Sequence, residues 1–303
     1  MGGRFGAAES ARAVKSRLAL GTVQFGLPYG IASGGVQVGR GEAAEILQHA
    51  RSAGLDTLDT AITYGDSERV LGELGVKQWR VVSKLPPVPD SCADVVTWVR
   101  ESAAGSLRRL AISSLYGLLL HRPQELSGRR GGELYDGLTS VKADGLVRKV
   151  GISVYGPSDL EAVWNLFPMD IVQAPFSVFD RQLATSGWLM RLHSQRVEVH
   201  TRSTFLQGLL LTEPKRRPQI FDRWRSLWDL WDDWLLQSGL TPLQACLGFA
   251  LSQPEIDRVI VGVDSTSQLQ EILDCEIDCR VIAPASLASA DPQLINPSRW
   301  KIP

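Results

Sequence analysis

The chain has 303 residues, of which 44 % are hydrophobic and 21 % are charged, and its formal net charge is −1. This composition is typical of a globular protein with a sizeable core, and the balanced charge excludes a broad attraction to nucleic acid or to an anionic membrane. No apolar run reaches the roughly 18 to 20 residues that a membrane-spanning helix needs. The four cysteines lack the spacing of a zinc site, which favours isolated reduced thiols in the cytoplasm.

Short apolar segments alternate with longer amphipathic segments along the chain. We expect residues 1–16 to be a flexible extension. After them, eight segments have the composition of buried strands: 17–22, 55–60, 80–85, 115–121, 148–153, 169–174, 197–202 and 258–263. Helical periodicity fills the intervals, and the longest interval, before the eighth strand, has room for two helices. This alternation predicts parallel βα units.

Eight such units within residues 17–303 favour an α/β fold with a single-domain (β/α)8 barrel over an open doubly wound sheet. An open sheet that bound a dinucleotide would show a G-x-G-x-x-G turn after the first strand. The sequence there is "GTVQFGLPYG", which does not match this turn. The barrel is therefore the predicted fold, with loops and a C-terminal tail near its mouth.

Polar residues follow several of the predicted strands. Asp59 ends the second strand, Lys84 lies in the third, His121 ends the fourth, and Tyr64 lies just beyond Asp59. Alone, a strand-end Asp is more often a helix cap. In a barrel, however, the carboxyl ends of the strands converge on one mouth. An ammonium beside a phenol makes it a better acid, so this set suits proton donation to a carbonyl. A lyase that forms a Schiff base on Lys84 is an alternative.

The segment "GLDTLDTAITYG" resembles the G-x-x-x-x-D-T-A-x-x-Y-G segment of the aldo-keto reductases. "VVSKL" and "LLLHRP" resemble the family's lysine and histidine segments. Similar segments continue through "KVGIS", "VQAPFSVFD", "RSTFLQGLLL" and "RVIVGVDSTSQLQE". The resemblance implies a (β/α)8 barrel that reduces an aldehyde or ketone to an alcohol with a nicotinamide cofactor. It places Asp59, Tyr64, Lys84 and His121 at the family's four catalytic positions, with Tyr64 as the proton donor.

The same resemblance implies a cofactor that lies extended across the barrel mouth. The expected contacts are Thr22, Ser153, Gln173, Arg202, Ser203, Phe205, Gln207, Gly208, Gly262, Asp264, Ser265, Gln268 and Glu271. Ser153 and Gln173 would hold the nicotinamide carboxamide, and Gly208 would let the backbone approach the pyrophosphate. Arg202 stands where many members have an aromatic ring against the nicotinamide. Its planar guanidinium could stack there instead, or form a salt bridge with a neighbouring carboxylate.

The resemblance implies NADPH, which we keep as the first expectation. NADH is the alternative, because Asp264 and Gln268 stand where basic contacts to the 2′-phosphate are common. The segment "EPKRRP" (213–218) could be a basic flap over the cofactor or an exposed polar loop.

The expected partner is a small-molecule carbonyl compound, either sugar-like or a biosynthetic intermediate. We expect no metal, nucleic acid or membrane contact, and a monomer. The other functional alternative is a cofactor-binding regulatory protein with little turnover, which channel-associated members of the family resemble. The C-terminal tail, including Trp300, could close over the mouth.

Overall fold

The computed structural model describes residues 15–31 and 36–300. Eight parallel strands form a closed barrel in chain order. They are β1 (Leu18–Gly21), β2 (Thr57–Asp59), β3 (Arg80–Leu85), β4 (Leu115–Leu120), β5 (Val147–Ser153), β6 (Ile171–Pro175), β7 (Glu198–Arg202) and β8 (Arg258–Gly262). Pairing of β1 with β8 closes the barrel. All the predicted strands are present, with their bounds shifted by two residues at most. The prediction of a single-domain (β/α)8 barrel is confirmed.

Helices connect the strands and cover the barrel. They are α1 (Arg40–Ser52), α2 (Ser67–Leu74), α3 (Val95–Leu110), α4 (Gly131–Ala143), α5 (Pro157–Val163), α6 (Gln182–Thr185), α7 (Trp188–Ser194), α8 (Arg225–Ser238), α9 (Pro242–Leu251), α10 (Thr266–Asp274) and α11 (Pro292–Ile295). The two helices expected between β7 and β8 are α8 and α9. In α1 the buried residues are Ala43, Ile46, Leu47 and Ala50, which form one face because a helix has 3.6 residues per turn.

The barrel interior has an apolar layer beneath a polar one. Val82 and Ile171 belong to a small buried cluster that is separate from the main core. Because side chains alternate along a strand, Val82 lies one layer below Lys84, and Ile171 lies one layer below Gln173. The polar layer therefore lies at the carboxyl ends of the strands, where the barrel opens.

The two ends of the chain differ in how much of them the structure describes. Almost all of the extension predicted over residues 1–16 lies outside the described residues. After α10 the tail returns to the barrel mouth, where residues 296–298 line a cavity. The Trp300 ring packs edge-on against Phe221, with 4.9 Å between ring centroids, and its Nε1 donates to the Leu294 carbonyl. Among the described helices, none is long and apolar enough to cross a membrane.

Candidate active site

A cavity of about 660 Å³ opens at the carboxyl ends of the strands. Most of the residues predicted for the site line it: Thr22, Asp59, Tyr64, His121, Gln173, Arg202, Ser203, Phe205, Gln207, Gly208, Gly262, Asp264, Gln268 and Glu271. Lys84, Ser153 and Ser265 do not line the cavity. Each of these three contacts a residue that does, respectively Asp59, Gln173 and Gln268.

A buried ion pair lies at the floor of the cavity. The side chains of Lys84 and Asp59 are 1 % and 8 % exposed. Lys84 Nζ donates to both carboxylate oxygens of Asp59, at 2.8 and 2.7 Å, and to the Thr60 carbonyl at 2.9 Å. These three acceptors match the three N–H donors of an ammonium. Burial lowers the pKa of Lys84, but Asp59 and Tyr64 outweigh it and the net pKa is raised. Lys84 is therefore a permanent cation.

Gln173 and Ser153 continue this polar layer. Gln173 Nε2 donates to Asp59 Oδ1 at 2.6 Å, and Ser153 Oγ donates to Gln173 Oε1 at 3.1 Å. The side chain of Gln173 thus links the ion pair to the end of β5. Of the two residues expected to hold a carboxamide, only Gln173 lines the cavity. Ser153 supports it from behind.

Tyr64 and His121 face the same part of the cavity. The Tyr64 ring centroid lies 5.0 Å from Lys84 Nζ. The rings of Tyr64 and His121 meet edge-on, with centroids 6.0 Å apart. His121 Nδ1 lies 3.3 Å from Thr63 Oγ1. Burial, with the positive charges of Lys84 and Arg202, lowers the pKa of His121 to about 4. His121 is therefore neutral at physiological pH.

The loop after β7 has an unusual backbone. Ser203, Leu206, Gln207 and Gly208 all have positive φ, at 62°, 46°, 55° and 89°. Only the glycine adopts this region without cost, and each of the others costs roughly 1 to 2 kcal/mol. Strained residues of this kind cluster at ligand sites, where the surrounding structure maintains them. The loop therefore has the character of a binding segment, and it forms one wall of the cavity.

Two polar groups in the cavity wall have unused hydrogen-bonding capacity. Thr204 and Gln24 are 2 % and 7 % exposed, and both line the cavity. Thr204 Oγ1 and Gln24 Oε1 have no hydrogen-bond partner in the described part of the chain. Buried polar atoms are nearly always hydrogen-bonded, so these two fit a polar ligand such as a dinucleotide. The site therefore fits the cofactor that the sequence implies.

The start of α10 forms the far end of the cavity. Ser265 Oγ accepts from the Gln268 backbone N–H at 3.2 Å, so Ser265 is a helix cap rather than part of the wall. Gln268 Oε1 accepts from the Asp264 backbone N–H at 2.9 Å. The carboxylates at this end belong to Asp264 and Glu271.

The segment 213–218 does not form a flap over this end. Lys215 and Arg216 are exposed, and Arg217 forms a salt bridge with Asp232 at 2.5 Å. None of the three lines the cavity. Of the two alternatives for this segment, the structure therefore has the polar loop.

Sequence reasoning missed several parts of the cavity wall. Gln24 and Tyr155 each lie within three residues after the end of a strand. This nearness to a strand end could have predicted their place in the cavity wall. Thr63, which does not line the cavity, was also missed and is recognised only through its contact with His121. Residues 241–243 of the β7–β8 connection also line the cavity, and nothing in their sequence indicates this position. Residues 296–298 line it too, in the C-terminal tail that was expected near the mouth.

The model of the aldo/keto reductase family matches residues 17–278. The chain belongs to this family. An aldo-keto reductase of Mycolicibacterium smegmatis is 29 % identical over 129 residues, which cover 41 % of this chain and 44 % of that protein. A "probable voltage-gated potassium channel subunit beta" of Arabidopsis thaliana is 25 % identical over 292 residues, which cover 85 % of this chain and 88 % of that protein. This aldo/keto reductase is thus an oxidoreductase of small carbonyl compounds, in a family that generally uses NAD(P)H.

The fold agrees with that of solved members. An aldo-keto reductase from Bacillus halodurans superposes with a TM-score of 0.68 at 18 % identity, covering 86 % of this chain and 87 % of that one. At 18 % identity, this superposition shows only that the two proteins share a fold. The roles of individual residues in this aldo/keto reductase therefore depend on the geometry of its own cavity.

Proposed function

We propose that this protein reduces an aldehyde or ketone to an alcohol, with Tyr64 as the proton donor. The supporting observation is the buried Lys84 ammonium, which Asp59 holds 5.0 Å from the Tyr64 ring centroid. A fixed positive charge beside a phenol stabilises the phenolate that remains when the proton leaves. Asp59 and Lys84 are positioning residues in this proposal, and Tyr64 and His121 touch the substrate.

The proposed reaction needs one hydride and one proton. A bound reduced nicotinamide supplies the hydride to the carbonyl carbon. Tyr64 donates its proton to the oxygen, so that C=O becomes CH–OH. His121, being neutral, can donate from Nε2 to the same oxygen when the Thr63 hydroxyl donates to Nδ1. Two donors then orient the carbonyl, and only one of them transfers a proton.

We infer that NADH is the preferred cofactor, whereas the sequence favoured NADPH. Asp264 and Glu271 line the far end of the cavity, and no lysine or arginine among the described residues lines that end. Carboxylates repel a 2′-phosphate, which carries up to two negative charges, but they can accept a hydrogen bond from a 2′-hydroxyl. The segment 213–218, which could have supplied cations, does not reach the cavity.

The two alternative functions receive less support. A Schiff base on Lys84 requires a neutral amine in contact with substrate, but this ammonium is buried, has three acceptors and does not line the cavity. A regulatory protein with little turnover is favoured only by the name of the Arabidopsis relative. This chain has the ion pair of Asp59 and Lys84 together with Tyr64 and His121. A regulatory protein with little turnover would not need these catalytic groups.

We propose a cytoplasmic monomer, because the four cysteines are free thiols and the exposed large apolar side chains are spread along the described chain, with three of them (Tyr29, Tyr155 and Leu211) in the cavity wall. Light scattering of the purified protein tests the monomer, and a mass twice that of the chain would contradict it.

The test combines calorimetry with steady-state kinetics on wild type and Tyr64→Phe. We expect NADH to bind more tightly than NADPH to both proteins, since the phenyl ring still fills its place. Turnover of the variant should fall by at least about 100-fold, the usual contribution of a general acid. Tyr135→Phe is the matched control, because its hydroxyl bonds to the Pro168 carbonyl outside the cavity.

Each result leads to a distinct conclusion. Full activity of Tyr64→Phe contradicts the assignment of the proton donor. Tighter binding of NADPH contradicts the inferred role of Asp264 and Glu271. Tight cofactor binding without turnover of any carbonyl compound favours the regulatory alternative, and failure to bind either cofactor refutes hydride transfer.

A further inference from the structure

Arg202 is a fixed cation in the wall of the cavity. It ends β7, and its side chain reaches the segment that follows β5. One terminal nitrogen donates to the Val154 carbonyl at 3.0 Å, and the other donates to Ser203 Oγ at 3.3 Å. The guanidinium carbon lies 4.8 Å from the centroid of the Tyr155 ring. These contacts hold the guanidinium plane in place without neutralising its charge.

Among residues 15–31 and 36–300, Arg202 takes part in no salt bridge, although its charge acts on the nearby Asp180 carboxylate. Asp59 is occupied by Lys84, and Asp180 accepts from the backbone N–H and the side chain of Gln182. A guanidinium has five N–H donors, and the contacts above use only part of them. In the described structure, Arg202 is also the only lysine or arginine that lines the cavity.

The guanidinium lines the same cavity as Tyr64 and His121. Its positive charge contributes, after burial and Lys84, to the lowered pKa of His121. It also acts on Tyr29, which lines another part of the wall. A molecule with its carbonyl at Tyr64 and His121 would therefore extend towards the one lysine or arginine that lines the cavity in the described structure.

We propose that the substrate is an anionic carbonyl compound, and that Arg202 binds its carboxylate or phosphate group. This inference rests on the proposed function and specifies its substrate class. It also differs from the stacking role that the family resemblance implies for this position, because the guanidinium already lies over the Tyr155 ring. Arginine binds both anions through two parallel hydrogen bonds, and a site built this way discriminates against analogues that lack the anion.

The experiment measures kcat/KM for matched pairs of substrates with wild type. The carboxylate pair is 4-oxobutanoate and its methyl ester, and the phosphate pair is glyceraldehyde 3-phosphate and glyceraldehyde. We expect the charged member of at least one pair to be preferred by about 10- to 100-fold, the range of a charge-assisted hydrogen bond. The pair that shows the preference identifies the anion.

Variants then attribute the preference to Arg202. Arg202→Met should reduce the charged-to-neutral ratio at least about 10-fold, whereas Arg202→Lys should keep part of it, since lysine retains the charge but not the planar fork. Lys215→Met is the matched control, because it removes an exposed positive charge outside the cavity and should leave the ratio unchanged. Calorimetry with NADH on each variant separates substrate binding from cofactor binding.

Several results would overturn the inference and leave the proposed function intact. Equal kcat/KM within both pairs would show that wild type does not select an anion. A preference that persists in Arg202→Met would assign it to another group. Weaker NADH binding by Arg202→Met, with an unchanged ratio, would place Arg202 on the cofactor. Failure of wild type to bind either NADH or NADPH would instead refute the proposed function itself.

Discussion

The buried pair of Asp59 and Lys84 allows a test that separates stability from catalysis. Both side chains are nearly inaccessible, at 8 % and 1 % exposed, so each charge depends on the other. Removing one partner of such a pair leaves an uncompensated buried charge, which costs about 3 to 5 kcal/mol. We therefore expect Asp59→Asn and Lys84→Met each to lower the free energy of unfolding by about this amount.

The double variant should behave differently from the sum of the single variants. Additive losses would total about 6 to 10 kcal/mol, but the double variant buries no unpaired charge. We expect its free energy of unfolding to be no lower than that of the less stable of the two single variants. Its reductase activity should nevertheless remain at least about 100-fold below wild type, because no cation stabilises the phenolate. Urea unfolding followed by circular dichroism measures stability, and cofactor oxidation measures activity.

A surface pair provides the control. Lys142 contacts Asp170 at 2.6 Å, but these side chains are 40 % and 31 % exposed. Lys142→Met should therefore cost less than about 1 kcal/mol. Two results would refute the reasoning. The first is a double variant whose loss of unfolding free energy equals the sum of the losses in the two single variants. The second is a loss in each single variant as small as that of Lys142→Met. Either result would mean that water reaches Asp59 and Lys84.

Two further predictions concern the surroundings of Tyr64. The pKa of His121 is about 4 in the folded protein against 6.5 for the free side chain, so the unfolded chain binds more protons between these values. Urea titrations should show wild type losing stability as the pH falls from about 6.5 to 4. His121→Gln should lose less, and equal losses would place His121 in water. A Cβ added at Gly26 would lie 1.9 Å from the Tyr64 carbonyl oxygen. Gly26→Ala should therefore displace Tyr64 and lower kcat by more than about 10-fold. Gly41→Ala, which meets nothing within 4 Å, should leave kcat unchanged, and an equal effect of both would contradict the steric argument.

The family's sequence segments are sufficient to indicate most of the residues of the candidate site. Asp59, Tyr64 and His121 follow strand ends, and the ends of parallel strands converge in a barrel. Ser153 was expected to contact the nicotinamide carboxamide, but it lies behind Gln173, which reaches the cavity. Lys84, which was expected to act on Tyr64, likewise lies behind Asp59. Ser265 has the role of an ordinary helix cap. Depth below a surface depends on neighbouring strands, and no single segment of sequence encodes it.

The sequence by itself determined the barrel, because alternating apolar and amphipathic segments have few other ways to bury their apolar surface. It also determined which chemical groups are available at the mouth, since the residue at the end of each predicted strand can be read directly from the sequence. Only the tertiary structure decided which charges are neutralised. Asp59 neutralises Lys84 and Asp232 neutralises Arg217, whereas Arg202 forms no salt bridge with any described residue. Such pairings join positions far apart in the chain, so they exist only after the barrel has closed.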